Sequence, residues 1–218
     1  MLAQQRVIVP ELLDHAPPEE ARENLKDLVR VNRYFGGHAV LRRIFSRFVA
    51  RDDRFTVLDV GAASGDMGAA LRRSFPNAFV TSLDRNVVHL EVAPQPKLAG
   101  DAFQLPFADR SFDFVFSSLF LHHFSNDEVV QLLRGFGQVA RRAVLAIDLE
   151  RGPIAYYFMP STKWLLRWRY LTVHDGQISV QAAFKKDELL SLARRAGLHN
   201  ADVRQHRPWA RLSLIAHP

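Results

Sequence analysis

Three groups of residues have the types and spacing to do chemistry. The first is Val57-Leu58-Asp59-Val60-Gly61-Ala62-Ala63-Ser64-Gly65-Asp66, an apolar run that ends in a turn of small residues and opens a helix. Small side chains let a ligand approach the backbone, and the free N–H groups of a helix N-terminus attract it. The Gly-x-Gly-x-x-Gly dinucleotide pattern is absent, because Ala63 occupies the middle position and Gly68 is out of register. That argues against a nicotinamide cofactor. By itself the turn also fits a plain strand-to-helix connection. The second group is acidic. Asp84 ends the next apolar run, roughly twenty positions after Gly65, and Asp101 follows in Gly100-Asp101-Ala102. A carboxylate at such a strand tip can accept both hydroxyls of a ribose, and strand ends are where open α/β sheets bind ligands. The third is His122-His123, within Ser117-Ser118-Leu119-Phe120-Leu121-His122-His123-Phe124. Histidine suits removal of a proton from an alcohol or phenol near neutral pH, and the pair equally fits a role in shaping a pocket. His174 is a weaker candidate for the same task. The nine histidines show no spacing or carboxylate pairing of a metal site, so no metal is expected.

These residues need a scaffold, and the chain around them has one. Runs at 55–60, 78–83, 112–116 and 143–147 are short, apolar and rich in β-branched or aromatic residues, with helical stretches at 66–75 and 126–139 between them. Ser125 and Glu128 form a capping-box signature for the second helix. Strands alternating with helices predict a parallel sheet covered on both faces. A late helix at 186–196 and two runs flanking Pro208-Trp209 predict a closing hairpin. Residues 1–50 read as an N-terminal helical cap, one helix opening at Pro17-Pro18, broken at Gly36-Gly37, and a second carrying Leu41, Ile44, Phe45 and Phe48 on one face. The remaining residues, 51–218, form the main domain. An insert at 150–184 interrupts it and holds two of the three tryptophans and three of the four tyrosines.

Composition bounds the function. Apolar residues make up 48% and charged residues 24%, as in a soluble globular protein. The absence of cysteine excludes disulfides, thiolate zinc sites and a thiol nucleophile. The first twenty residues have no sustained apolar core and no run is long enough to span a bilayer, so a cytoplasmic protein is expected. The net charge of +6 fits nucleic acid, an anionic surface or no specific partner.

Taken in order, Val57–Gly65, Thr81–Asp84, Gly100–Ala102 and Ser111–Val115 resemble the successive motifs of class I S-adenosylmethionine-dependent methyltransferases, of the small-molecule type that includes the ubiquinone/menaquinone enzymes. The resemblance covers 55–148, with 185–217 as the last helix and hairpin. It implies a Rossmann-like α/β three-layer sandwich with a seven-stranded, mostly parallel sheet whose last strand is antiparallel. S-adenosylmethionine is the implied cofactor. By similarity Gly61, Ala62, Ala63 and Gly65 approach its methionine part, Asp59 orients the turn or the amino group, and Asp84 with Arg85 holds the ribose. Asp101, Ala102 and Phe103 frame the adenine, Ser117 lies at the strand end beside it, and Arg33 is a candidate partner for the carboxylate. His122 and His123 are the candidate bases. Tyr156, Tyr157, Trp164 and Trp168, in a substrate lid, are the candidate acceptor surface. The expected partner is a small, apolar or phenolic acceptor, methylated on oxygen, for a monomer or homodimer. A nucleic-acid methyltransferase is the first alternative. Against it, Ser117-Ser118-Leu119-Phe120 lacks the Pro-Pro-aromatic pattern of base N-methylating enzymes. A non-catalytic donor-binding module is the second.

Overall fold

The apolar runs become strands buried on both sides. In the computed structural model, which describes residues 5–218, β1 (Phe55–Val60), β2 (Ala78–Asp84), β3 (Lys97–Ala99), β4 (Phe112–Ser118), β5 (Ala140–Leu149), β6 (His199–His206) and β7 (Arg211–His217) form one sheet in the order β3-β2-β1-β4-β5-β7-β6. The first five strands are parallel, β7 runs antiparallel to β5, and β6 antiparallel to β7. The helices are α1 (Pro18–Tyr34), α2 (Gly37–Phe45), α3 (Asp66–Ser74), α4 (Val87–Leu90), α5 (Asn126–Val139), α6 (Pro153–Leu166), α7 (Tyr170–Ala182) and α8 (Lys186–Arg195).

Successive strand residues point to opposite faces. Leu58, Val60, Leu83, Val115, Val144 and Ala146 join one apolar core with α5 and α8. Val57, Val80, Phe114, Phe116 and Leu145 join a second with α2 and α3. The result is the three-layer sandwich that the alternating pattern predicts. The Ser125–Glu128 capping box forms as read: Glu128 accepts from the Ser125 N–H at 2.8 Å, and Ser125 Oγ from the Glu128 N–H at 3.4 Å.

The 1–50 segment does not act as a single cap. Helix α2, with Val40, Leu41, Ile44 and Phe45 buried, is part of the core. Helix α1 instead passes over the C-terminal ends of the strands. Its end is held by Arg211, whose Nε donates to the Phe35 carbonyl at 2.9 Å and whose Nη2 donates to Asn32 Oδ1 at 3.2 Å. Gly36 turns the chain at φ +86°, where a Cβ would stand 2.5 Å from the Trp209 ring, so glycine is required here.

The insert forms α6 and α7. Asn24 donates to Thr172 Oγ1 at 2.9 Å, and Thr172 donates to Asp27 at 2.9 Å, which ties α7 to α1. The segment before α1 crosses the same region. Arg6 donates to the carbonyls of Ala182, His122 and Phe124 at 2.7, 3.1 and 2.8 Å, and the N–H groups of Leu12 and Leu13 donate to Asp175 at 3.0 Å each. These bonds carry Glu11 to the strand ends.

Candidate active site

A cavity of about 1300 Å³ opens at the C-terminal ends of the strands. That exceeds the usual volume for one small ligand and leaves room for two. One half is built by the turn after β1 and the end of β2. Gly61, Ala62, Ala63 and Ser64 line it, together with Asp59, Asp84, Arg85 and Asn86. The turn is held in place by β2: the N–H groups of Gly61 and Ala62 both donate to the Leu83 carbonyl, at 2.9 and 3.0 Å. Asp84 Oδ2 accepts from the Ala63 N–H and Oδ1 from the Asn86 N–H, each at 2.8 Å. Each oxygen keeps a second lone pair for a ligand hydroxyl.

Asp59 is buried, and its Oδ2 has no hydrogen-bond partner. Burial, with Asp84 and Asp66 nearby, pushes its carboxyl up to about 7. A buried acceptor without a donor is costly unless a ligand supplies one.

The other half of the cavity is built by the loop after β4, the Glu11 segment and the insert. His122 is buried, and its Nδ1 lies 2.6 Å from Asp148 Oδ1 at the end of β5. The His122 N–H donates to Asp148 Oδ2 at 3.2 Å. Nε2 faces Glu11 Oε1 at 3.7 Å, outside hydrogen-bond range. Burial opposes a charge on the ring, but Asp148 and Glu11 outweigh it and hold His122 up at about 10. Both carboxylates are held below their ordinary range, against burial, chiefly by the facing histidine. The two facing carboxylates favour the imidazolium form of His122.

His123 stacks on His122, with centroids 4.3 Å apart and planes at 28°. Its Nδ1 is 4.0 Å from Glu11 Oε1. Glu11, His122 and His123 thus bring three potential ligand atoms within 4.8 Å, a grouping that sequence spacing did not suggest. An ion on both rings would have to lie in both ring planes, and stacked rings do not converge that way. Glu11 also accepts a short hydrogen bond from Ser179.

Residues 57–143, which include the turn, both strand-end aspartates and the histidine loop, match the family model described as a methyltransferase domain. Over that stretch the chain is similar to a methyltransferase domain. Over 126 residues it is 32% identical to a malonyl-[acyl-carrier protein] O-methyltransferase of Xylella fastidiosa, covering 53% of this chain and 42% of that protein. It is 33% identical over 112 residues to a demethylmenaquinone methyltransferase of Thermotoga maritima, covering 49% and 45%. The matched stretch spans less than half the length of each of these relatives. A solved S-adenosylmethionine-dependent methyltransferase from Aquifex aeolicus shares the fold, with a TM-score of 0.64 at 17% identity over 92% of this chain and 98% of that one.

The structure brings Asp59, Gly61, Ala62, Ala63, Asp84, Arg85, His122 and His123 to the lining of one cavity. Other candidates lie off it. Gly65 starts α3 at φ +69° and packs on Ala93 and Pro94. Ser117 is buried within β4, and the wall is reached by Ser118. Ala102 belongs to the α5-side core, Phe103 packs edge-on against Phe124, and Asp101 caps the local turn by accepting from the Phe103 N–H. Arg33 faces solvent over the Tyr34 ring, because α1 turns Leu25, Leu28, Asn32 and Phe35 to the cavity instead.

The aromatic residues of the insert are also displaced. Helix α6 presents Ile154, Ala155, Phe158 and Met159 to the cavity. Tyr157 and Trp164 face outward, Trp168 is buried against Phe35 and Arg30, and Tyr156 meets Gln181. Sequence reasoning passed over Glu11, Asp148 and Phe120. Asp148 carried a usable signal, a carboxylate at the end of an apolar run. Glu11 lies in Pro10-Glu11-Leu12-Leu13-Asp14, a stretch that resembles a bacterial subgroup of these enzymes, but nothing in the sequence ties it to His122, 111 positions away.

Gly61 tests the turn. It sits at φ +68°, and a Cβ there would lie 2.2 Å from the Phe120 ring. Gly61→Val is expected to abolish donor binding, as small-residue spacing alone implies. It should also lower stability by about 1–3 kcal/mol, through strain and the clash with Phe120. Thermal melting beside calorimetric donor titration separates the two losses. A variant that melts and binds like wild type would place the donor elsewhere.

Proposed function

We propose that this protein transfers a methyl group from S-adenosylmethionine to a small apolar or phenolic acceptor, on oxygen. One observation carries this reading: a single cavity joins the Asp59–Asp84 turn to the buried His122–Asp148 pair. The turn side fits the donor. The orphaned Asp59 Oδ2 suits its ammonium, Asp84 its ribose hydroxyls, and the glycine turn its close approach. When bound, the donor supplies an already activated sulfonium methyl group.

The chain's own residues then have three tasks. The turn and Asp84 fix the donor's position, which is the main catalytic contribution for an activated methyl group. With Nδ1 held by Asp148, the His122 Nε2–H is left to hydrogen-bond the acceptor oxygen and stabilise its ionised form. His123, half-buried beside it, is the group placed to take the acceptor's proton. The α6–α7 insert, α1 and the Glu11 segment cover the cavity and exclude water. The same enclosure speaks against a nucleic-acid acceptor, which needs an open basic cleft. A cytoplasmic monomer or homodimer remains our expectation. No helix among the described residues is long and apolar enough to cross a membrane.

Incubation with the donor and a panel of phenols, quinols and carboxylic acids tests the reading through formation of S-adenosylhomocysteine. Tight donor binding with no turnover on any acceptor would favour the binding-module alternative. Binding itself should depend on pH. Asp59 is protonated below about 7, and only its ionised form pairs with an ammonium. Donor affinity is therefore expected to fall about tenfold per pH unit below 7, and Asp59→Asn should remove that slope. A flat profile in the wild type would take Asp59 out of ammonium binding.

A further inference from the structure

Helix α6 is mostly apolar, with Ser161, Thr162 and Lys163 as its polar side chains, and its inner face packs within the chain. Ile154, Tyr157, Trp164 and Leu165 fall on one outer face at helical spacing. Ile154 is 78% exposed, Trp164 88% and Leu165 82%, with Tyr157 and Tyr170 also exposed. No residue of α6 is buried. A contiguous exposed patch containing tryptophan is unusual for a face that meets only water.

Basic residues outnumber acidic ones around the patch. No acidic residue occurs between Glu150 and Asp175, whereas Lys163, Arg167 and Arg169 do. The neighbouring end of α1 is also basic. Arg30 donates to the Leu166 carbonyl at 2.7 Å, and Arg33 is exposed beyond it. The acids on this side, Glu23 and Asp27, are already engaged by Lys26, Arg30 and Arg169. Outward aromatic and aliphatic side chains rimmed by an excess of lysine and arginine, with Lys163, Arg167 and Arg33 beyond the paired Arg30 and Arg169, match the chemistry of an anionic lipid surface. At 14 residues the helix is too short to span a bilayer and long enough to lie in its interface.

We propose that the outer face of α6 docks on an anionic lipid surface. Ile154 belongs to both the exposed patch and the cavity wall. A docked α6 therefore joins the bilayer to the cavity by an apolar path. That consequence rests on the apolar acceptor proposed above; the docking itself does not.

Flotation with phosphatidylcholine vesicles, with and without about one-third phosphatidylglycerol, tests the docking. Wild-type protein is expected to float with the anionic vesicles, less so as salt rises, and not with phosphatidylcholine alone. Trp164→Glu combined with Leu165→Glu is expected to lower partitioning at least about tenfold, with donor affinity and melting temperature unchanged. Brominated lipid should quench wild-type tryptophan fluorescence, and Trp164→Phe should remove that quenching. Three results would overturn the proposal: no wild-type binding to anionic vesicles, equal partitioning of the double variant, or a concentration-dependent dimer that the same double variant dissociates. Absence of methyl transfer with vesicle binding intact would overturn the proposed reaction and leave the docking standing.

Discussion

Replacing His122 with glutamine is expected to lower turnover by about 10²- to 10³-fold and to leave S-adenosylmethionine affinity within about twofold. The side chain is buried between Asp148 and Glu11 on the side of the cavity away from the Asp59–Asp84 turn. Its removal also strands two buried carboxylates, so a fall in stability of about 3–5 kcal/mol accompanies it. The double variant His122→Gln with Asp148→Asn restores a neutral hydrogen-bonded pair and should recover much of the stability without the activity. Recovery of both would make the pair structural only. The pH profile gives a second readout. The folded-state pKa of His122 is raised from 6.5 to about 10, so its contribution is full below 6.5 and is lost as pH rises through 10. That of Asp148 is lowered from 3.8, so its contribution is present above 3.8 and lost as pH falls below it. The melting temperature of the wild type should therefore fall on an alkaline limb that the double variant lacks.

Asp84→Ala is expected to weaken donor binding by about 1–3 kcal/mol, about 5- to 150-fold. The carboxylate has two duties. In the proposed site it offers acceptors to the ribose, and in the structure it holds the Ala63 and Asn86 N–H groups at 2.8 Å. The alanine variant loses both and also loosens the turn. Asp84→Asn keeps one carbonyl acceptor and should fall between wild type and alanine. Calorimetric titration orders the three proteins. Unchanged affinity in a folded Asp84→Ala protein would remove this residue from the site.

The half of the cavity proposed for the donor was legible in the sequence because it is local. A strand, a turn of small residues and a helix start occupy ten consecutive positions, and Asp84 closes the adjacent strand. Strand ends follow from hydrophobic run length, and helix starts from caps such as Ser125, so the residues at those junctions are placed before any packing is known. The break at Gly36-Gly37 and the closing hairpin were readable for the same reason.

The half proposed for the acceptor was decided by tertiary structure. Periodicity identified the helices α1 and α6 but could not set their rotation about their own axes, which depends on distant partners. Arg211 and the Asn24–Thr172 bond fix α1, so Phe35 faces inward and Arg33 outward. In α6, contact with α1 and α7 turns Phe158 and Met159 to the cavity and leaves Trp164 in solvent. Glu11 reaches His122 only because Arg6 and Asp175 draw the first segment across α7. A buried charge pair acquires its altered affinity for protons from neighbours far away in sequence. The identity of His122 was visible from the sequence, and its charge was set by the fold that brings Asp148 and Glu11 to it.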